Sequence, residues 1–260
     1  MQQFDSYIGT GGISRPIAMD YHKLLAEAES QELDTSNFPY RQMVGSLMYA
    51  LIGTRPDLAV AVSVVSKYLD KPKPIHCELV RNIYRYIRAN LNLTLFYQSE
   101  SSIILKGYCD ASYANDVNYK SRSGYGIMLG RCLIHWYSGV QPVTAQSSAE
   151  SEYYGAVSCA NEIIWGKLML KELGFSQGCV EILEDNEACI ALTKNPQDHK
   201  RTKHIQVKYH VIRDYVEKEE IIFKYCNTRA QYADMFTKAL SGPSLRRNLK
   251  ALGIIRQGEN

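Results

Sequence analysis

IILKGYCDASYANDVNYKSRSGYGIMLGRCLIHWYS, residues 103–138, is the stretch that decides the fold. Its apolar, aromatic and β-branched residues fall into three short runs, IILKGYC, SGYGIML and RCLIHWYS. Gly130 and Arg131 separate the last two as a tight-turn signal, so the spacing predicts three consecutive antiparallel strands. Downstream the period changes. Ser147 or Ser148 can cap a long helix running to about Leu173, with Glu150 available near its first turn. CVEILED then reads as a strand, NEACIALTKN as a short helix, VKYHVIRDYVEK as a helix after a basic loop, and IIFKYC as a fifth strand. YADMFTKAL closes the unit as a helix. The order βββαβααβα predicts an α/β fold, a mixed five-stranded sheet in which parallel strands extend an antiparallel run through helical crossovers.

Upstream, residues 40–97 predict a small all-helical unit of three helices. YRQMVGSLMYALIGT puts Met43, Leu47 and Leu51 at helical spacing, the break at Thr54-Arg55-Pro56-Asp57 precedes LAVAVSVVSKYL, and HCELVRNIYRYIRANL carries an apolar stripe of Leu79, Ile83, Tyr86 and Ile87. Arg81, Arg85 and Arg88 lie off that stripe and read equally as a solvated face or a nucleic-acid-facing one. Residues 1–39 show no sustained periodicity and predict a partly disordered leader, and residues 241–260 a C-terminal tail.

The 260 residues allow two units, each able to bury a core. No apolar run is long enough to span a bilayer and no signal peptide is visible, so no membrane partner is expected. An intracellular protein, cytoplasmic or nuclear and not secreted, is the default. Seven scattered cysteines without a CxxC pair support neither a disulfide framework nor a zinc knuckle. A formal charge of +3 is too small to argue nucleic-acid binding by itself.

The chemistry lies in four carboxylates: Asp110 in GYCDAS, Glu152 in SSAESEYYGA, Asp185 in ILEDNEAC and Asp234 in QYADMFTKAL. Asp110 and Asp185 end predicted strands, the edge where open α/β sheets place ligands. Glu152 is preferred over Glu150 because its helix face continues through Ala156, Cys159 and Ile163, which suits close packing on a sheet. A Glu on a packed face needs a cation. Asp234 falls early in the closing helix, where a helix N-terminus alone would favour it. Convergent carboxylates are hard ligands suited to Mg2+, with Mn2+ an alternative, and two such ions clamp a phosphodiester for hydrolysis.

With these blocks in order, the chain resembles the ribonuclease H region at the C-terminal end of Copia-type retrotransposon Pol polyproteins. CDASYA, SRSGYGIML, SSAESEYYGA, EDNEACI, HKRTKHIQVKYHVIRDYV and YADMFTKAL carry the resemblance over residues 101–240. YRQMVGSLMYA, TRPDLAVAV and the stretch around His76 resemble the segment joining polymerase to ribonuclease H. The resemblance implies a ribonuclease H-like domain that cuts the RNA strand of RNA/DNA hybrids, with Asp110, Glu152, Asp185 and Asp234 as catalytic metal ligands for two ions. It implies 2′-hydroxyl readout, to which Gln146, Ser147 and Asn186 are candidates to contribute. Lys200, Arg201, Lys203 and His204, in a patch with Lys194 and His199, are candidates to hold phosphates. The missing reverse transcriptase portion is a further expected partner. Some features depart from the resemblance: the polymerase's paired aspartates are absent, residues 137–141 lack the lysines of many relatives, and no His lies between IIFKYC and Asp234. The alternative is a non-catalytic retroelement remnant that binds nucleic acid or only folds.

Overall fold

The computed structural model describes residues 2–27, 37–99, 103–114, 119–194 and 206–258. In chain order its elements are α1 (Asp5–Ile8), α2 (Tyr21–Glu27), α3 (Tyr40–Gly53), α4 (Ala59–Val65), α5 (Pro74–Ala89), β1 (Leu93–Leu95), β2 (Leu105–Ser112), β3 (Arg122–Leu129) and β4 (Cys132–Val140). There follow α6 (Ser148–Glu172), β5 (Val180–Glu184), α7 (Glu187–Lys194), α8 (Gln206–Glu217), β6 (Ile221–Tyr225), α9 (Asp234–Thr237), α10 (Gly242–Ala251) and β7 (Ile254–Arg256). The chain divides into two compact units: Met1–Phe96 with Lys238–Asn260, and Tyr97–Thr237.

The second unit is the expected mixed sheet, in the order β4-β3-β2-β5-β6. β2, β3 and β4 pair antiparallel, while β5 pairs parallel to both β2 and β6. Gly130, at φ 61°, turns the chain between β3 and β4, a left-handed conformation that costs glycine little. α6 packs its small residues, Ala156, Cys159 and Ala160, with Ile163, into a buried cluster with Leu105, Cys109, Tyr125 and Ile127 of the sheet and Ile182 and Phe223 beyond. This is a ribonuclease H-like arrangement, as expected. The closing helix is shorter than its sequence suggests. Only one turn, Asp234–Thr237, is helical, after a 3-10 turn at Thr228–Ala230.

The first unit corrects the reading of both chain ends. The N-terminal residues expected to be a partly disordered leader form α1 and α2, and Phe4, Ile8, Ile17, Tyr21 and Leu25 are buried. The arginines of α5 hold this segment. Arg81 Nε donates to the Tyr7 carbonyl (2.9 Å), Arg85 Nε to Ile8 (2.9 Å) and Arg88 Nη1 to Gly9 (2.8 Å). Glu78 pairs with Arg81 and Arg85, and Asp5 with Arg88, so these charges serve the fold and not an open nucleic-acid-facing surface. Residues 241–260, expected as a tail, contain α10 and β7, and β7 pairs antiparallel with β1 from Leu93↔Arg256 to Leu95↔Ile254. Burial of Leu245, Leu249, Leu252 and Ile254 fixes that segment.

His76 opens α5 in an unusual way. Its Nδ1 accepts the Lys73 N–H at 2.9 Å and its ring stacks on Tyr68 at 3.7 Å, while burial, and then the Lys73 charge, lowers its pKa to about 4. Above pH 6.5 both folded and unfolded imidazoles are neutral and this contribution is intact. As pH falls from 6.5 towards 4 the unfolded chain binds a proton that the folded one refuses, so stability drops by roughly 2–3 kcal/mol. His76→Gln should flatten that limb, read as the difference between the two proteins in denaturant midpoints at pH 7 and pH 5. Identical pH profiles would refute the assignment.

Candidate metal centre

β2 and β5 run side by side only as far as the Tyr108↔Leu183 pair. Beyond it they part. Gln231, fully buried, bridges the gap: its Nε2 donates to the Cys109 carbonyl (2.8 Å) and reaches that of Leu183 (3.5 Å), while its Oε1 accepts the Ala233 N–H. Asp110 lies just past the fork on β2, and Asp185 directly after β5. A crevice at the carboxyl ends of adjacent parallel strands is where such sheets hold ligands.

α6 supplies the third group. Ser147 caps it, accepting from the Glu150 N–H at 3.2 Å, and Glu150 Oε2 in turn accepts the Gln146 N–H at 2.7 Å. Glu150 is thereby used at the helix end, while Glu152, one turn in, is only 8% exposed and turned to the sheet. Gly155 lets the helix approach closely, since a Cβ there would meet the Asp110 carbonyl at 3.3 Å. As a result, ligand atoms of Asp110, Glu152 and Asp185 all lie within 4.8 Å of one another.

Asp234 lies outside that group of three. It is buried at the start of α9, a single turn whose last residue, Thr237, reaches Asp110. Thr237 Oγ1 donates a short hydrogen bond to Asp110 Oδ2 and also lies 3.2 Å from the Asp234 carbonyl. Asp234 contributes charge nonetheless: Cys226 is pushed up to about 12 by burial first, then by Asp185, Glu184, Asp234 and Asp110. Thr228 Oγ1 orients Asp185, donating to Oδ2 at 2.9 Å.

The sequence reading missed Glu184. It is fully buried beside the cluster, with Oε1 accepting the Asn186 N–H (3.1 Å) and Oε2 accepting from the Cys109 thiol (3.2 Å). The signal was available, because strand alternation puts Glu184 on the same buried face as Val180 and Ile182. Of the residues expected to contact nucleic acid, Gln146 and Ser147 are exposed at the start of α6. Asn186 follows Asp185, with Oδ1 accepting the Cys189 N–H at 3.0 Å. Lys200, Arg201, Lys203 and His204 lie outside the described residues.

The electrostatics fit a cation. Burial, followed by Glu184, Asp110 and Asp185, pushes Glu152 up to about 11, and the Ala111 N–H offsets only part of this. Burial chiefly pushes Glu184 up to about 8. Glu152 Oε2 is buried without a hydrogen-bond partner among the described residues, an arrangement that is costly unless a cation completes it. The neighbouring thiols do not compete as ligands. Cys109 is raised by its hydrogen bond with Cys159 and by burial, Cys189 by burial and the carboxylates, so both stay protonated. Hard oxygens and no thiolate suit magnesium or manganese.

No family model matches the chain. It is 40% identical over 219 residues, 84% of its length, to the retrovirus-related Pol polyprotein from transposon TNT 1-94 of Nicotiana tabacum, and covers 16% of that polyprotein. It is 34% identical over the same share to the Pol polyprotein from transposon RE2 of Arabidopsis thaliana, covering 15% of it. The chain thus spans about a sixth of the length of these relatives. Among solved structures, LC11-RNase H1 in complex with RNA/DNA hybrid matches 51% of the chain and 93% of its own at a TM-score of 0.40 and 12% identity.

Proposed function

From its 34–40% identity over 84% of its length to retrotransposon Pol polyproteins, we propose that the chain is part of a Copia-type Pol polyprotein and that its Tyr97–Thr237 unit is a metal-dependent endonuclease that hydrolyses the RNA strand of RNA/DNA hybrids. The observation that carries this reading is the meeting of Asp110, Glu152 and Asp185 within 4.8 Å, with a buried Glu152 oxygen that no protein group satisfies among the described residues. These three carboxylates would hold Mg2+ or Mn2+, and a second ion would draw on Asp234. A divalent cation there supplies Lewis-acid stabilisation of the charge that develops on a phosphodiester during hydrolysis.

The remaining residues orient these ligands. Thr237 fixes the Asp110 carboxylate, Thr228 that of Asp185, and Gln231 sets the fork between their strands. Second-shell groups of this kind commonly account for 10–100-fold, roughly, in metal affinity or activity. Ser147, which keeps its O–H as a donor, and Asn186, which keeps its NH2, are suited to meet ribose 2′-hydroxyls, with Gln146 beside them. The basic run Lys200, Arg201, Lys203 and His204 would contact phosphates. The missing reverse transcriptase portion is the proposed protein partner.

The test is cleavage of end-labelled RNA/DNA hybrid, DNA duplex and RNA duplex by the full chain in magnesium, alongside Asp110→Asn. Cutting of the hybrid's RNA strand alone, lost in the variant and in chelator, is expected. Equal inactivity of both proteins, with hybrid still bound, would instead identify a non-catalytic remnant.

A further inference from the structure

In the first unit, residues of α10, β7 and β1 line a groove of about 650 Å3: the apolar Leu93, Leu249, Ile254 and Ile255 with the cationic Arg246, Lys250 and Arg256. Arg246, Arg247 and Lys250 are exposed. Between Asp234 and Glu259 the sequence has no carboxylate but five cationic residues: Lys238, Arg246, Arg247, Lys250 and Arg256.

Arg246, Arg247, Lys250 and Arg256 differ from five of the unit's other arginines. Arg41 is paired with Asp70, Arg55 with Asp57, Arg81 and Arg85 with Glu78, and Arg88 with Asp5. By contrast, among the described residues, Arg256 Nη2 meets the neutral Asn90 Oδ1 (3.1 Å) and Arg247 Nη2 the neutral Asn248 Oδ1 (3.4 Å). Among the described residues, none of Arg246, Arg247, Lys250 and Arg256 meets a carboxylate. Arg246 and Lys250 also stand four residues apart on one helix face, a like-charge spacing that weakens a helix. Cations that meet no carboxylate among the described residues and share one groove are complementary to an extended anion.

We propose that this groove binds the phosphodiester backbone of a nucleic acid, with Arg246, Lys250 and Arg256 on successive phosphates and the half-buried Ile255 against sugar or base. It is a second nucleic-acid surface, built without the carboxylate centre and independent of whether that centre cuts. Neutralised phosphates release counterions, so such binding carries a measurable salt dependence.

The test uses the full chain with Asp110→Asn, in which cleavage is expected to be off, and follows anisotropy of a labelled RNA/DNA hybrid across a salt series. Adding Arg246→Gln, Lys250→Gln and Arg256→Gln should weaken binding about tenfold or more and lower the slope of log affinity against log salt by about 2–3, at roughly 0.7–0.9 per phosphate. Arg246→Lys with Lys250→Arg, which conserves charge, should keep the parent slope. Unchanged affinity and slope in the neutralised protein would overturn the proposal. So would tighter binding of a polyglutamate peptide than of hybrid, which would assign the groove to an acidic protein. If the neutralised variant fails to fold, acetylation footprinting of the otherwise intact chain decides. Protection of Lys250 by bound hybrid supports the groove, and equal acetylation with and without hybrid overturns it.

Discussion

Glu152→Gln is expected to make the metal-free protein more stable while reducing hybrid cleavage by more than roughly 100-fold, the upper end of what loss of a supporting group around a metal costs. In the absence of a cation, folding at pH 7 carries a carboxyl from an ordinary value of 4.5 to a site that pushes it up to about 11, through burial and then through Glu184, Asp110 and Asp185. Protonating it on folding costs on the order of 2–4 kcal/mol at pH 7. Glutamine fills the same volume without that cost. The sign follows directly: a folded pKa above the unfolded one contributes stability below about pH 4.5 that is lost as pH rises through the window towards 11. Glu184, raised to about 8, acts in the same direction. The variant should therefore show a shallower decline in melting temperature above pH 5 and melt higher in chelator. Magnesium at about 1,000 times its Kd reverses the order, since it adds about 4.1 kcal/mol to the wild type. A variant that melts below wild type in chelator would sink the idea that this cluster is strained without a cation.

Gly124→Ala should cost about 1–3 kcal/mol of stability, the range for overpacking a tight contact, and lower cleavage roughly 10–100-fold through displaced metal ligation. A Cβ at Gly124 would sit 2.6 Å from Phe236 Cβ, 2.7 Å from Thr237 Cγ2 and 2.9 Å from the Phe236 carbonyl carbon, so α9 itself must lift. Lifting it removes the Thr237 hydrogen bond from Asp110, which pairs with Gly124 across β2 and β3. Gly126→Ala meets Phe236 Cε2 at 3.0 Å and Leu133 Cδ1 at 3.1 Å, ends of side chains that can yield, and should be milder. Gly166→Ala, with its nearest neighbour at 3.4 Å and a position inside α6, should be neutral or stabilising by about 0.5–1 kcal/mol. Equal effects at all three positions, in melting temperature and cleavage, would contradict this account of how α9 is seated.

Much of the second unit was legible because its signals are local. Period-2 runs gave β2, β3 and β4, the Ser147 cap and a long 3.6-residue pattern gave α6, and helix phase alone distinguished Glu152 from Glu150. The same alternation could have drawn attention to Glu184, whose charge obscured its place on a buried face. Asp234 could not be placed in this way. A single helical turn carries no phase information, and how it seats on the sheet depends on Phe236 packing over Gly124. The first unit hid its order in long-range contacts. Phe4 packs edge-to-face on Tyr84 at 5.7 Å, and α5 arginines clamp carbonyls more than 70 positions away, so neither segment looks structured alone. β1 and β7 are three-residue strands that meet across 161 positions, too short to show a period and too distant to show a turn.

The most direct measurement is a calorimetric titration of the full chain with Mn2+ or Mg2+ at pH 7 in buffers of different ionisation enthalpy, beside Asp185→Asn. Wild type should bind the cation and release protons, because a carboxyl held protonated by burial and by its neighbours must ionise to become a ligand, and the variant should bind far more weakly. Absence of binding by wild type, or equal binding by Asp185→Asn, would contradict the assignment of Asp110, Glu152 and Asp185 as a metal centre.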